Sequence, residues 1–203
     1  MSSHSLLDQI ALPLSMHEKG IIVEIGSARE KEIEKSSTFY FRELAEKINM
    51  TFYSVDLSVE SYKLAFKILN SFAIHQDGES FLNDFCQHTS QKIVILYLDN
   101  YDVIYNDKHR QSLMRRVGTL YTDYYDSFSN EKSAQVHLSQ LIAAVPHLAD
   151  KCIIIIDDTK LLDDLTWWGK GALAVPFLLD INYTIIASSD DGVALCSPSF
   201  LQP

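Results

Sequence analysis

Short apolar runs rich in β-branched residues alternate along this chain with longer stretches of helical periodicity, and this alternation narrows the fold more than any other feature. Ile21 to Ile25 reads as a buried strand ending at Gly26, followed by a helix over 38–48. A second strand over 51–55 is closed by Asp56 and leads into a helix over 58–69. A short strand over 72–75 precedes a helix over 80–88, and a strong strand runs over 92–98. The stretch 108–125 reads as helical and 127–132 as a loop. A further helix covers 133–148, with Val136, Leu138, Leu141, Ile142 and Val145 as its apolar set. The run Ile153 to Ile156 is the most hydrophobic strand, and a helix follows near 171–179. Two closing strands, 183–187 and 193–196, flank the turn Asp190-Asp191-Gly192. Repeated β-then-α units imply a parallel sheet with helices on both faces, because a right-handed crossover places each helix over the sheet. The expected fold is therefore α/β: one Rossmann-like, doubly wound, mostly parallel seven-stranded domain over 1–203, closed by an antiparallel hairpin. The segment 102–132 is long for a crossover and reads as a cap insertion.

Ligands of such sheets bind beyond the carboxyl ends of the strands, near the switch in strand order. Here the strand ends carry Glu24-Ile25-Gly26-Ser27, Asp56, Gln76-Asp77-Gly78-Glu79, Asp99-Asn100-Tyr101-Asp102 and Asp157-Asp158-Thr159. An acid after a strand is often just a helix cap or turn residue. Asp157 and Asp158 are adjacent, so they cannot both be caps. Carboxylates gathered on one edge need compensating partners, which suggests a hydroxyl-rich ligand, a cation, or both.

This series resembles the class I S-adenosylmethionine-dependent methyltransferases across nearly the whole chain. Val23-Glu24-Ile25-Gly26-Ser27 is similar to the family's first motif, the turn that receives the methionine part of the cofactor. Ser36-Ser37-Thr38 resembles the start of the helix that continues it. Phe52-Tyr53-Ser54-Val55-Asp56 is similar to the second motif, whose acid accepts from the ribose hydroxyls. Asp77 and Gly78 fall where the family contacts adenine. The resemblance thus implies cofactor-binding roles for Glu24, Gly26, Ser27, Asp56, Asp77 and Gly78. Within the superfamily, the metal-dependent small-molecule O-methyltransferases, of the catechol and antibiotic-sugar types, hold Mg²⁺ with an acid after the fourth strand and an acidic pair after the fifth. Asp99, Asp157 and Asp158 occupy those places and imply a Mg²⁺ site, in keeping with hard oxygen ligands. Such an ion lowers the pKa of the attacking hydroxyl.

Two departures stand out. The stretch from Ala28 to Lys35 is longer and more charged than the family's glycine-rich loop; it either folds over the cofactor, with Arg29 or a lysine near the carboxylate, or marks a changed pocket. Where the catechol type has a catalytic lysine, this chain has Asp102, so the catalytic assignment falls to Asp99 and Asp102. The implied activity is methyl transfer to a hydroxyl of a small molecule. The alternatives are a non-catalytic binding or assembly partner of the same fold and, less favoured, a metal-dependent hydrolase.

Trp167-Trp168-Gly169-Lys170-Gly171 reads as a pocket wall whose Lys170 meets an anion, or as a helix anchored on the sheet. His75 and His137 read as structural. The tyrosines at 97, 101, 105, 121, 124 and 125 suit either a substrate cap or a homodimer interface. A formal charge of −10 without a strong basic block argues against nucleic-acid partners. Three widely spaced cysteines, the absence of an evident signal peptide and the lack of a bilayer-length apolar run make cytoplasmic location, without membrane contact, the expectation.

Overall fold

The structure is a computed structural model, and it describes residues 19–29, 33–88, 90–106, 108 and 129–201, with the side chains of 33 and 85–88 excepted. Strands β1 (Ile21–Ile25), β2 (Thr51–Asp56), β3 (Ala73–His75), β4 (Ile93–Leu98), β5 (Leu148–Asp157), β8 (Thr184–Ser189) and β9 (Gly192–Cys196) form one sheet in the order β3-β2-β1-β4-β5-β9-β8. The first five are parallel, and β9 runs antiparallel to both β5 and β8. Strands β1 and β4 are buried at every position. That is why their sequences are continuously apolar rather than alternating. The exception, Glu24, marks the site.

Helices α1 (Ser37–Ile48), α2 (Val59–Leu69), α3 (Gly78–His88), α4 (Asn130–Ala144) and α5 (Ala174–Asp180) connect the strands. Helix α1 packs against α2, and α3 against α4, which also meets α5. The chain thus winds one way through β1, β2 and β3 and the other way through β4 and β5. The switch falls between β1 and β4, where two carboxyl ends open side by side. Ser36, Ser58 and Ser129 cap α1, α2 and α4, each accepting a backbone N–H three residues on.

Three expectations shift. Helix α4 starts at Asn130, inside the stretch read as a loop, and its buried side is Ser133, Ala134, His137, Gln140, Leu141 and Ala144. Of the apolar set read from the sequence, only Leu141 is buried, and Ile142 faces solvent. The reading followed hydrophobic residues, whereas the inner face of this helix is polar because it floors the site. Trp167 and Trp168 belong neither to a helix nor to its approach. They form β7 (Trp167–Gly169), paired antiparallel with β6 (Thr159–Leu161) in a separate ribbon. Lastly, β5 begins at Leu148, before the polar residues Asp150 and Lys151. The helix expected over 108–125 and most of the cap expected over 102–132 lie outside the described residues. Cys152 and Cys196 are free and buried. Among the described residues, no helix is long and apolar enough to cross a membrane.

Candidate functional site

The turn after β1 is shaped by a close approach. Gly26 has φ +103, and a Cβ there would lie 2.5 Å from the Asp99 carbonyl carbon and 2.5 Å from the Asn100 nitrogen. Glycine therefore lets the turn press against the backbone leaving β4. Ser27 N–H then donates to Asp56 Oδ2 at 2.8 Å, and Ser58 N–H donates to Asp56 Oδ1 at 2.7 Å. Asp56 thus ties the β1 turn to the start of α2 before any ligand arrives. Burial pushes its carboxyl up, while these two amides and Arg29 pull it back.

Glu24 is fully buried, with the hydroxyls of Ser37, Thr38 and Ser54 donating to its two oxygens. Desolvation still dominates and lifts its pKa to about 7. Thr38 also accepts from the Ala28 N–H at 2.9 Å, so one threonine links the first turn, Glu24 and α1. Arg29 crosses the mouth of the site. Its guanidinium pairs with Asp102 Oδ1 at 2.5 Å and donates to the Asp99 carbonyl at 3.0 Å. Burial works against this charge, but Asp102, Asp99 and Asp56 together raise its pKa.

Asp77 acts as a cap: its Oδ1 accepts the Ser80 N–H at 3.0 Å at the start of α3. Gly78 is packed between Ile25 and Gln140, whose Nε2 would lie 2.9 Å from an added Cβ. The expected cofactor residues Glu24, Gly26, Ser27 and Asp56 therefore come together around one turn, with Asp77 and Gly78 at the neighbouring strand end.

Asp99, Asp157 and Asp158 also converge, presenting carboxylate oxygens that all lie within 4.8 Å of one another. In kind they suit a hard cation. A cation is nevertheless already among them. Lys170 Nζ lies 2.5 Å from Asp99 Oδ1 and 2.9 Å from Asp158 Oδ2, and the side chain is fully buried. The other oxygen of Asp158 accepts the Tyr105 hydroxyl. As they stand, these residues do not fit a magnesium ion. Burial alone would lower the Lys170 pKa, but Asp99, Asp158 and Asp157 reverse this and keep it protonated. Asp158 is desolvated too, yet Lys170 and Tyr105 hold it below the usual carboxylate range. Asp157 goes the other way, raised well above that range by burial and by the charge on Asp99.

Below the site, α4 presents Ser133, His137 and Gln140, all fully buried. His137 Nδ1 bonds the Ser133 carbonyl at 2.7 Å, and its pKa falls to about 4 through burial and the nearby Lys170. Among the described residues, His137 Nε2, both Gln140 amide atoms and Asn100 Oδ1 are buried without a hydrogen-bond partner. His75 is structural, its Nε2 paired with the Leu57 carbonyl and its ring stacked on Tyr62. The Tyr105 and Trp168 rings pack against each other at a tilted angle, centroids 5.2 Å apart. The sequence pointed to the acids. It did not show that Lys170 serves them, that Arg29 spans two strand ends, or that α4 turns polar groups inward. Only the clustering of Ser36-Ser37-Thr38 near Glu24 hinted at the hydroxyl cage.

No family model matches the chain, and no curated protein matches it. Solved structures do. A TDP-rhamnose 3'-O-methyltransferase of calicheamicin biosynthesis, CalS11, aligns with TM-score 0.54 and 12% identity, covering 96% of this chain and 80% of that one. A proposed rRNA methylase from Clostridium thermocellum aligns with TM-score 0.53 and 10% identity, covering 94% of this chain and 95% of its own. A proposed methyltransferase from Streptococcus mutans, in complex with SAH, aligns with TM-score 0.52 and 6% identity over 97% of each chain.

Proposed function

We propose that this chain, which has the Rossmann-like fold of the S-adenosylmethionine-dependent methyltransferases, transfers a methyl group from that cofactor to a hydroxyl of a small molecule. The observation that carries this is the assembly around Gly26: Glu24, Ser27 and Asp56 gathered at the switch between β1 and β4, where this fold binds ligands. The SAH complex of the Streptococcus mutans structure supports the choice of cofactor, and the sugar O-methyltransferase supports a hydroxyl acceptor. The net charge of −10 favours a small acceptor over RNA.

In this reading Glu24, Gly26, Ser27 and Asp56 hold the methionyl and ribose parts, and Asp77 and Gly78 border the adenine. The acceptor lies beside Asp99 and Asp102. Its oxygen attacks the sulfonium methyl carbon in line, the S–CH₃ bond breaks, and the sulfur leaves as a neutral thioether. Asp99 takes the hydroxyl proton. Positioning supplies most of the acceleration, because the methyl carbon is already electrophilic. Asp102 is bound by Arg29, so it serves as a loop anchor rather than as the base. No step is assigned to Mg²⁺, since Lys170 stands within the donor set.

Calorimetry with S-adenosylhomocysteine tests the reading: saturable binding that is lost in Asp56→Ala is expected. A folded protein silent at millimolar ligand overturns it. The Arg29–Asp102 pair across the site mouth favours a second reading, a non-catalytic binding partner of the same fold. Cofactor binding without turnover on any acceptor pool would select it.

A further inference from the structure

We propose that Lys170 is a resident counter-cation that holds the Asp99–Asp157–Asp158 cluster, so that this acidic site is built to work without a divalent metal. The inference stands on geometry. The Lys170 ammonium meets carboxylates from two different strand ends, Asp99 after β4 and Asp158 after β5, and none of its side chain reaches solvent. Surface lysines extend their heads into water. This one is turned inward along its whole length.

The backbone around it is constructed for delivery. The ribbon of β6 and β7 leaves the sheet just after the acids and brings the chain back to them. Lys170 N–H donates to the Asp158 carbonyl at 3.2 Å. Its neighbour Gly171 N–H donates to Thr159 Oγ1 at 2.8 Å, and that hydroxyl donates to the Asp157 carbonyl at 2.8 Å. Gly169, on the other side, has φ +88, and a Cβ there would lie 1.9 Å from the Asp158 carbonyl oxygen. Both flanks of the lysine are thus pinned to the segment that carries two of the three acids.

Charge explains why the arrangement persists. A buried ammonium or a buried cluster of carboxylates alone carries a desolvation penalty of several kcal/mol per ion, roughly, and each offsets the other only when paired closely. Here the pairing is close, and it uses the oxygens a metal would need. Asp158 spends one oxygen on Lys170 and the other on Tyr105, while Asp99 spends Oδ1 on Lys170 and has the Tyr97 hydroxyl at 3.5 Å from Oδ2. A divalent ion taking these oxygens would have to displace the Lys170 ammonium from them. Lys170 therefore acts as a positioning residue: it holds the Asp99 and Asp158 carboxylates in place.

Mn²⁺ binding followed by electron paramagnetic resonance tests this. The wild type is expected to leave Mn²⁺ free at millimolar concentration, with a melting temperature indifferent to chelator. Lys170→Met keeps the bulk but removes the charge, and it is expected to bind Mn²⁺ at least about tenfold more tightly than the wild type, with a chelator-sensitive melting temperature. Micromolar Mn²⁺ binding by the wild type that Asp157→Asn abolishes overturns the proposal, and so does a folded Lys170→Met with unchanged metal affinity. If Lys170→Met does not fold, the wild-type measurement decides alone. S-adenosylhomocysteine calorimetry in the presence of chelator, on the same preparation, separates this from the methyltransferase reading. A silent cofactor titration refutes that reading and leaves the Lys170 result standing.

Discussion

Glu24→Gln should change how stability depends on pH, and the sign follows from burial. The Glu24 carboxyl rises from 4.5 in the unfolded chain to about 7 in the folded one, chiefly through desolvation. A raised acid binds its proton more tightly in the folded state. Its contribution is therefore most favourable below the unfolded value and is lost as pH climbs through about 7. At about 1.36 kcal/mol per pKa unit, the loss is roughly 3 kcal/mol. His137 has the opposite profile. Its pKa drops from 6.5 to about 4, so the stability it lends is present above 6.5 and disappears as pH falls towards 4. Over the shared window the two slopes oppose each other. Glutamine is isosteric with the protonated acid and can engage the same three hydroxyls. Urea unfolding followed by fluorescence of Trp167 and Trp168 should show the variant level with the wild type below about pH 4 and more stable by roughly 3 kcal/mol above about pH 8. Parallel curves across that range would refute the burial argument, whatever the absolute stabilities.

Three further outcomes follow from the same contacts. Gly26→Ala should destabilise by roughly 2–5 kcal/mol in denaturant unfolding, combining a left-handed strain with overlap on the Asp99 and Asn100 backbone; a neutral result would mean the turn is not pressed against β4. Arg29→Ala should lower stability by at most about 1 kcal/mol, because the Arg29 side chain is 36% exposed and its pair with Asp102 is screened by solvent. A loss of several kcal/mol would show that Arg29 braces the fold and does more than span the mouth. Gln140→Met should leave the ligand-free protein equally stable or up to about 2 kcal/mol more stable, since both amide atoms are buried and unpaired among the described residues; a marked loss would reveal a bound water or partner on that amide.

The mostly parallel sheet with its closing hairpin and the strand-end acids were legible in the sequence because each buried strand stops sharply. Ile25, Val55, Leu98 and Ile156 are fully apolar positions, and the next residue or two must turn in a polar environment. Three kinds of feature were not legible. The ribbon of β6 and β7 has strands of three residues, too short to show a period of two. The inward face of α4 carries Ser133, His137 and Gln140, so a hydrophobicity-based reading turns the helix the wrong way round. Lys170 was visible as a cation beside two tryptophans, but its partners lie 71 and 12 residues away, and only the ribbon's return to Asp158 brings them into range. Asp77 shows the converse. The helix-cap interpretation weighed for such acids holds for it, and its place at the site comes from its position in the fold rather than from a side chain aimed inward.

The two cations at the site do similar electrostatic work at very different depths. Arg29 lies on the turn after β1, reaches Asp102 and the Asp99 carbonyl, and keeps more than a third of its side chain in water. Moving it exchanges protein contacts for hydration at little net cost, as for other exposed pairs. Lys170 has no such exchange available. Its ammonium is dry, its own N–H and that of Gly171 are hydrogen-bonded to the Asp157–Thr159 segment, and losing both ion pairs would leave a buried charge uncompensated. If a positively charged cofactor binds over Gly26 as proposed, it would compete with these cations for the carboxylates, and Arg29, the more exposed of the two, is the one able to yield. Lys170, fully buried, would keep its pairing with Asp99 and Asp158. Depth of burial thus separates a cation that can exchange its partners for water from one that cannot.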